Sequence, residues 1–281
     1  MLNGAYCKIC GGRCKENQNF TRFLALGETN CRVLTCENCK TSFLVGEPPN
    51  NLYNHEYFSV AGADYDYEKQ SRSNSDHYQD IIEKLVSYGA GSASLVDIGC
   101  GMGHFVRQAS ASFEEVLAVD GHVDPSCFVG DRSQLSVEDI DRIEITPEKF
   151  DAITLNHSLE HVDDPVRLLE QAREGLRPGG VLYVEVPFQF GSFYDRVAAI
   201  LSPKQAPDFL SFHHKTFFCP RSLELALENT GFEVLELRTF LPKRGVGRFR
   251  GLRGRLRFVF LWGASLVNRA DYIAVFARRL G

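Results

Sequence analysis

No part of this 281-residue chain stays apolar for long. Of its apolar runs, Phe258–Trp262 is set among arginines and Val181–Val186 contains Glu185. Both fall far short of the ~20 apolar residues that a membrane span requires. Met1–Lys8 lacks the apolar core of a secretory signal, so the expected location is cytoplasmic. Repeats at a period of roughly 20–50 residues are missing, which excludes solenoids and propellers. Neither charge dominates: 31 Lys and Arg stand against 36 Asp and Glu, a formal charge of −5 that gives no global attraction to nucleic acid. With 24 Gly, 11 Pro and 44% hydrophobic residues, collagen-like, coiled-coil and wholly disordered chains are excluded too. Cysteine is sparse over most of the length, since six of nine lie before residue 40.

Those six are Cys7, Cys10, Cys14, Cys31, Cys36 and Cys39. In a reducing compartment such a cluster reads as a metal site. Cys7-x-x-Cys10 and Cys36-x-x-Cys39 are two knuckles, and two thiolates from each close a tetrahedral zinc site. The surrounding ~45 residues have too little core to fold unaided. Gly11-Gly12 after one pair and Lys40 after the other suit the tight turns of knuckles. Structural zinc on Cys7, Cys10, Cys36 and Cys39 is therefore expected, with a redox dithiol as the alternative. Cys14 and Cys31 read as free buried thiols or substitute ligands. The breaker-rich Glu47–Asn51 marks a boundary, giving a zinc-ribbon-like module over 1–48, an aromatic lid and helical linker over 49–92, and a larger domain over 93–281.

Ser75–Tyr88 has the apolar spacing of an amphipathic helix, through Tyr78, Ile81, Ile82, Leu85 and Val86, and Gly89 stops it. Strands are then predicted at Ser94–Ile98, Glu115–Asp120, around Leu135–Val137, Phe150–Asn156, Val181–Val186, Phe232–Arg238 and Asp271–Arg278. Helices fall through Phe105, Val106 and Ala109, over Pro165–Leu176 and over Arg221–Thr230. This alternation predicts an α/β fold, doubly wound, with a mostly parallel seven-stranded Rossmann-like sheet.

The sharpest signal is Leu95-Val96-Asp97-Ile98-Gly99-Cys100-Gly101-Met102-Gly103-His104-Phe105, an apolar strand that runs through glycines straight into a helix. Such a loop brings backbone close to a ligand at a strand's carboxyl end. A dinucleotide site prefers a last glycine where His104 stands, and Asp97 would repel a pyrophosphate but hold a sulfonium or ammonium. Asp120 ends the next strand, where a carboxylate accepts both ribose hydroxyls of a nucleoside. The pair asks for a cationic nucleoside without phosphates, a description that S-adenosylmethionine meets.

From here the sequence resembles the class I S-adenosylmethionine-dependent methyltransferases. Phe150–Val162 looks like their fourth-strand motif, and Leu176-Arg177-Pro178-Gly179-Gly180-Val181-Leu182 like the turn before their fifth strand. His213-His214-Lys215-Thr216-Phe217-Phe218 with the helix to Gly231-Phe232 is similar to small-molecule members. The resemblance runs from Leu95 to the end. It implies that Asp97, Gly99, Gly101 and Gly103 surround the methionine part, and that Asp120 binds ribose with Gly121 and His122 beside it. Asp139 and Ile140 would lie near adenine, and Asn156 and His157 would face the sulfonium methyl. It also implies that the last two strands form an antiparallel hairpin at one sheet edge. A zinc-bearing head before this fold resembles the sugar C-methyltransferases.

Methyl transfer needs a base only when the acceptor is a hydroxyl or carbon acid. His157, Glu160 and His161 form an i, i+3, i+4 set that offers a base or a metal site, two positions resembling ubiquinone-pathway O-methyltransferases. Helix-terminal and core packing roles are the plainer alternative. His214, beside His213 in a loop expected over the site, is the further catalytic candidate. Tyr53 to Tyr67 reads as a lid or a packing strap. The basic run Lys243, Arg244, Arg248, Arg250, Arg253, Arg255 and Arg257, followed by apolar Phe258–Val267, reads as a solvated helix face, an anionic-substrate site or a peripheral membrane contact. The expected activity is methyl transfer from S-adenosylmethionine to a small-molecule acceptor, anionic if that basic run binds it, such as a sugar or glycan precursor. RNA methylation through the head and basic run, or a noncatalytic interaction role, are the alternatives.

Overall fold

The computed structural model describes residues 6–18, 20–21, 30–46, 67–123, 133–189, 213–240 and 270–281. The aromatic stretch before Tyr67, the amphipathic Asp195–Leu201 with the proline insert after it, and the basic run with its apolar sequel lie outside the described residues. No helix among the described residues is long and apolar enough to cross a membrane. The chain divides into two compact units. One draws on Met1–Asn74, Pro187–Ser222 and Thr239–Ile273, the other on Ser75–Val186, Leu223–Arg238 and Ala274–Gly281.

The first unit carries a four-stranded sheet in the order β1 (Cys14–Glu16), β2 (Arg32–Cys36), β3 (Ser42–Val45), β9 (Thr216–Phe217). All three pairings are antiparallel, and the last strand joins the cysteine hairpin from far along the chain. Cys31, Val33 and Phe217 make the small core between them.

The second unit is built on a seven-stranded sheet, which adds β4 (Ser94–Ile98), β5 (Glu115–Val119), β6 (Gln134–Ser136), β7 (Phe150–Asn156), β8 (Leu176–Pro187), β10 (Phe232–Phe240) and β11 (Tyr272–Arg279). Their order is β10-β11-β8-β7-β4-β5-β6, with β6, β5, β4, β7 and β8 paired in parallel. Inner parallel strands are covered on both faces, which explains why nearly every position in them is buried, Asp97, Asp151 and Thr154 included. Every residue of β4 is buried, as is every residue of β7 except Asn156. The chain leaves β4 in one direction through β5 and β6, then returns to the other side as β7. The crevice above the carboxyl ends of β4 and β7 is thus the switch point at which doubly wound sheets bind ligands.

Helices α1 (Tyr67–Ser87), α2 (His104–Ala109), α3 (Pro165–Gly175) and α4 (Pro220–Asn229) connect these strands. Ile81, Ile82 and Leu85 of α1 are buried as their spacing predicts, whereas Val86 is exposed. Polar ties hold α1 within its unit: Lys84 Nζ donates to Glu236 at 2.7 Å and Arg238 Nη2 to Asp80 at 2.8 Å. α3 starts where Asp164 caps it, its carboxylate accepting from the amides of Val166 and Arg167, with Pro165 preset in the first turn. The Arg177-Pro178-Gly179-Gly180 segment, expected as a turn, is the irregular opening of β8, where the register to β7 shifts between Phe150 and Ala152.

Candidate functional site

Three turns converge on the carboxyl end of β4. The amides of Gly99 and Cys100 donate to the carbonyl of Val119 at 2.7 and 3.1 Å, folding the glycine loop back over β5. Gly99 has φ 81°, and a Cβ there would stand 2.5 Å from Cβ of Ser158, so the turn after β7 rests on the bare backbone of the loop. A Cβ on Gly101 would meet nothing within 4 Å, which leaves open space on that side.

Asp120 closes the loop from β5. Its Oδ2 accepts the amide of Gly101 at 2.9 Å and its Oδ1 that of His122 at 2.9 Å. Each oxygen keeps a second lone pair. Asp97 is 2% exposed, and its Oδ1 accepts from the hydroxyl of Thr154 at 2.6 Å. Burial pushes its carboxyl up to about 7; the Thr154 hydrogen bond opposes this and the charge of Asp120 adds to it. Among the described residues neither carboxyl group has an ion-pair partner. A Cβ on Gly121 would lie 3.2 Å from the carbonyl of Glu138 and 3.3 Å from Cα of Asp139. The segments expected to hold ribose and adenine therefore share one edge, with Asp139 exposed and Ile140 half-buried beyond it.

At the ends of β7 and β8, Asn156 stands opposite Glu185. His157 follows with a left-handed φ of 56°, its amide donating to the carbonyl of Glu185 at 2.9 Å. Its ring lies between two carboxylates, Nε2 at 3.0 Å from Glu185 Oε1 and Nδ1 at 3.5 Å from Glu160 Oε1. Desolvation works against the imidazolium, but the two carboxylates outweigh it and hold His157 well above the usual histidine range. Glu185 also meets His77 Nε2 of α1 at 2.8 Å and the Tyr183 hydroxyl. Burial would raise its carboxyl; hydrogen bonds from His157 and His77 outweigh that and hold it well below the carboxylate range. Glu160 is buried, and His161 Nε2 lies 3.9 Å from it, an ion-pair distance rather than a hydrogen bond. His214, in the other unit, has Nδ1 2.6 Å from Gln189 Oε1 and an edgewise contact with Phe217.

Thr154, Glu185, His77 and Tyr183 were not among the expected site residues. Glu185 did leave a signal: a charge inside the apolar run Val181–Val186, where an inner strand tolerates one only if it is paired. His77 left none.

The cysteines form a second site, in the first unit. Sγ of Cys7 is 3.5 Å from Cys39, Sγ of Cys10 is 3.5 Å from Cys36, and the four sulfurs lie within 4.8 Å of one another. Four sulfurs at the Zn–S distance around a tetrahedral ion sit about 3.8 Å apart, so the cage fits zinc. The two knuckles repeat one pattern. Gly11 and Lys40 donate to the carbonyls of Cys7 and Cys36, while Cys7 and Cys36 donate to those of Gly12 and Thr41. Lys40 adopts φ 67° where the other knuckle has Gly11 at φ 66°. A side chain on Gly12 would stand 3.1 Å from the Cys36 sulfur, so that glycine lets the knuckles meet. The hydrogen bond between Cys7 and Cys39 lowers the Cys39 thiol and pushes that of Cys7 up. Cys31 is buried in the apolar cluster and Cys14 lies at the edge of the cage.

Residues 57–237 match the family described as a methyltransferase domain. The ubiquinone biosynthesis O-methyltransferase of Actinobacillus pleuropneumoniae is 29% identical over 116 residues, 37% of this chain and 49% of the relative. The trans-aconitate 2-methyltransferase of Deinococcus radiodurans is 36% identical over 99 residues, 34% of this chain and 38% of the relative. The chain spans about half the length of the curated relatives it matches. In fold it is similar to a SAM-dependent methyltransferase from Archaeoglobus fulgidus, with a TM-score of 0.53 and 19% identity over 76% of this chain and 100% of that one. It is likewise similar to an S-adenosylmethionine-dependent methyltransferase from Mesorhizobium loti, with a TM-score of 0.50 and 18% identity over 70% and 96% of the two chains.

Proposed function

Because this chain belongs to the methyltransferase-domain family, we propose that it moves a methyl group from S-adenosylmethionine to a small-molecule acceptor, a sugar or glycan precursor being the first class to test. The observation that supports this most is Asp97, buried beside the glycine loop with Asp120 near it and, among the described residues, no ion-pair partner for either. When bound, S-adenosylmethionine supplies a methyl group already activated on a sulfonium. The protein's share is then to align and to exclude water.

Asp120 has lone pairs left for ribose hydroxyls, and Asp139 with Ile140 stands at the adenine edge. Asp97 and the backbone of Gly99, Gly101 and Gly103 would hold the methionine part. Asn156 and His157 close the crevice on the methyl side. Glu185 and Glu160 hold the His157 ring as a cation, so it positions and shields rather than takes a proton. If the acceptor loses a proton, Glu160 and His161 are the groups in this unit proposed to receive it. Zinc on Cys7, Cys10, Cys36 and Cys39 would have a structural role, with every ligand a cysteine.

Transfer of tritiated methyl from S-adenosylmethionine tests this, with nucleotide-linked sugars, hydroxy acids, phenols and RNA as acceptors. Label should enter a small molecule, and Asp97→Asn should slow it about 5- to 150-fold, the loss expected for one buried charged partner. Label in RNA alone would replace the reading with RNA methylation. Cofactor binding without turnover on every acceptor would replace it with a noncatalytic role.

A further inference from the structure

We propose that the cysteine module is the clamp that positions the His213–His214 turn, so that zinc in the module sets the order of that turn. The proposal rests on the zinc reading of the four cysteines and names a task for the metal beyond holding the module itself.

The module's sheet is completed by the segment that follows the two histidines. β9 pairs antiparallel with β3, Ser42 opposite Phe217 and Phe43 opposite Thr216. One residue earlier, the carbonyl of Lys215, next to His214, accepts the amide of Leu44 at 3.0 Å. Phe217 is 3% exposed, packed with Cys31 and Val33 in the module's core, and Leu44 and Phe20 cover the cluster. Beyond β9, the Cys219 thiol donates to the carbonyl of Cys39, itself a zinc ligand, at 3.3 Å. Backbone, apolar and thiol contacts on both sides of β9 all lead to one hairpin.

That hairpin has its metal site at the turn. Cys36 is the last residue of β2, and Cys39 lies in the turn before β3. A sheet this small, with four thiols crowded at one end, gains its stability from the ion that neutralises them. A two-residue strand such as β9 holds its place only through its neighbour. Without zinc, β2 and β3 part and β9 loses its template. His213, 9% exposed, and His214, held on Gln189 and against Phe217, then lose the backbone that presents them. Thr216, Phe217 and Cys219 are thereby positioning residues for His214.

Hydrogen–deuterium exchange on the full chain, read by mass spectrometry before and after zinc removal with a chelator, tests the clamp. Exchange over 213–219 should rise at least about ten-fold together with 32–45, while 94–98 and 150–156 keep their protection. The ¹⁵N signals of the His214 ring should move to those of a free imidazole and return on adding zinc. Retained protection at 213–219 while 32–45 exchanges would overturn the proposal, and so would a module that stays protected without metal. Phe217→Pro, which removes the ladder amide opposite Ser42 and no ligand, should release 213–219 with zinc still bound at one per chain; unchanged exchange there would also overturn it. A purified chain that takes up no zinc contradicts the underlying metal reading itself, and metal analysis separates that failure from failure of the clamp.

Discussion

Glu185→Ala is expected to destabilise the second unit by about 3–5 kcal/mol, the cost of taking one partner out of a buried ion pair. The lower end applies, because the His157 side chain is 40% exposed and solvent screens part of the interaction. The carboxylate binds His77 and His157 at once, tying α1 to the turn after β7. Its removal takes away one of the two carboxylates, Glu185 and Glu160, that lie beside the His157 ring. The pH dependence has two sides. Glu185 titrates lower in the fold than its ordinary 4.5, so its contribution is present above that pH and lost as pH falls below it. His157 titrates higher than its ordinary 6.5, so its contribution is complete below that value and fades as pH rises toward about 10. The stability difference between the wild type and Glu185→Gln should therefore be largest between about pH 4.5 and 6.5 and shrink on both sides. Urea unfolding of both proteins across pH 3–10 measures it. A difference that does not vary with pH would mean that the pair does not form.

Gly99→Ala should cost about 2–5 kcal/mol. A left-handed residue with a side chain is strained, and the new Cβ would stand 2.5 Å from Cβ of Ser158, which must move with the whole turn. Gly101→Ala is the control. Its φ of 52° brings the backbone strain, but its Cβ meets nothing within 4 Å. That variant should lose only about 1–2 kcal/mol of stability while narrowing the open side of the loop. Urea midpoints of the two variants decide the matter: equal losses would mean that Ser158 does not rest on the loop.

The sheet was legible in the sequence where burial is two-sided. β4 and β7 fall at their expected residues because inner strands of a parallel sheet are mostly apolar, with Asp97 in β4 and Asp151 and Thr154 in β7 as the internal exceptions. α1 begins at Tyr67, eight residues before the expected Ser75, since its first two turns are polar and carry no period to detect. β9 was invisible: two residues have no pattern, and its partner β3 lies far away in sequence. The candidate site divides in the same way. Asp97, Asp120 and the glycines were readable because a tight loop between strand and helix has few chemical solutions. The Cys7, Cys10, Cys36 and Cys39 cage was readable from paired spacing. The His77–Glu185–His157 arrangement was not, because topology rather than spacing brings residues 108 positions apart into contact.

Calorimetric titration of S-adenosylmethionine into the wild type and into Asp120→Ala is the most direct test of a cationic nucleoside site between Asp97 and Asp120. A saturable one-to-one isotherm is predicted for the wild type, weakened about 5- to 150-fold in a folded Asp120→Ala protein. No heat with the wild type, or the same affinity in both, would contradict it.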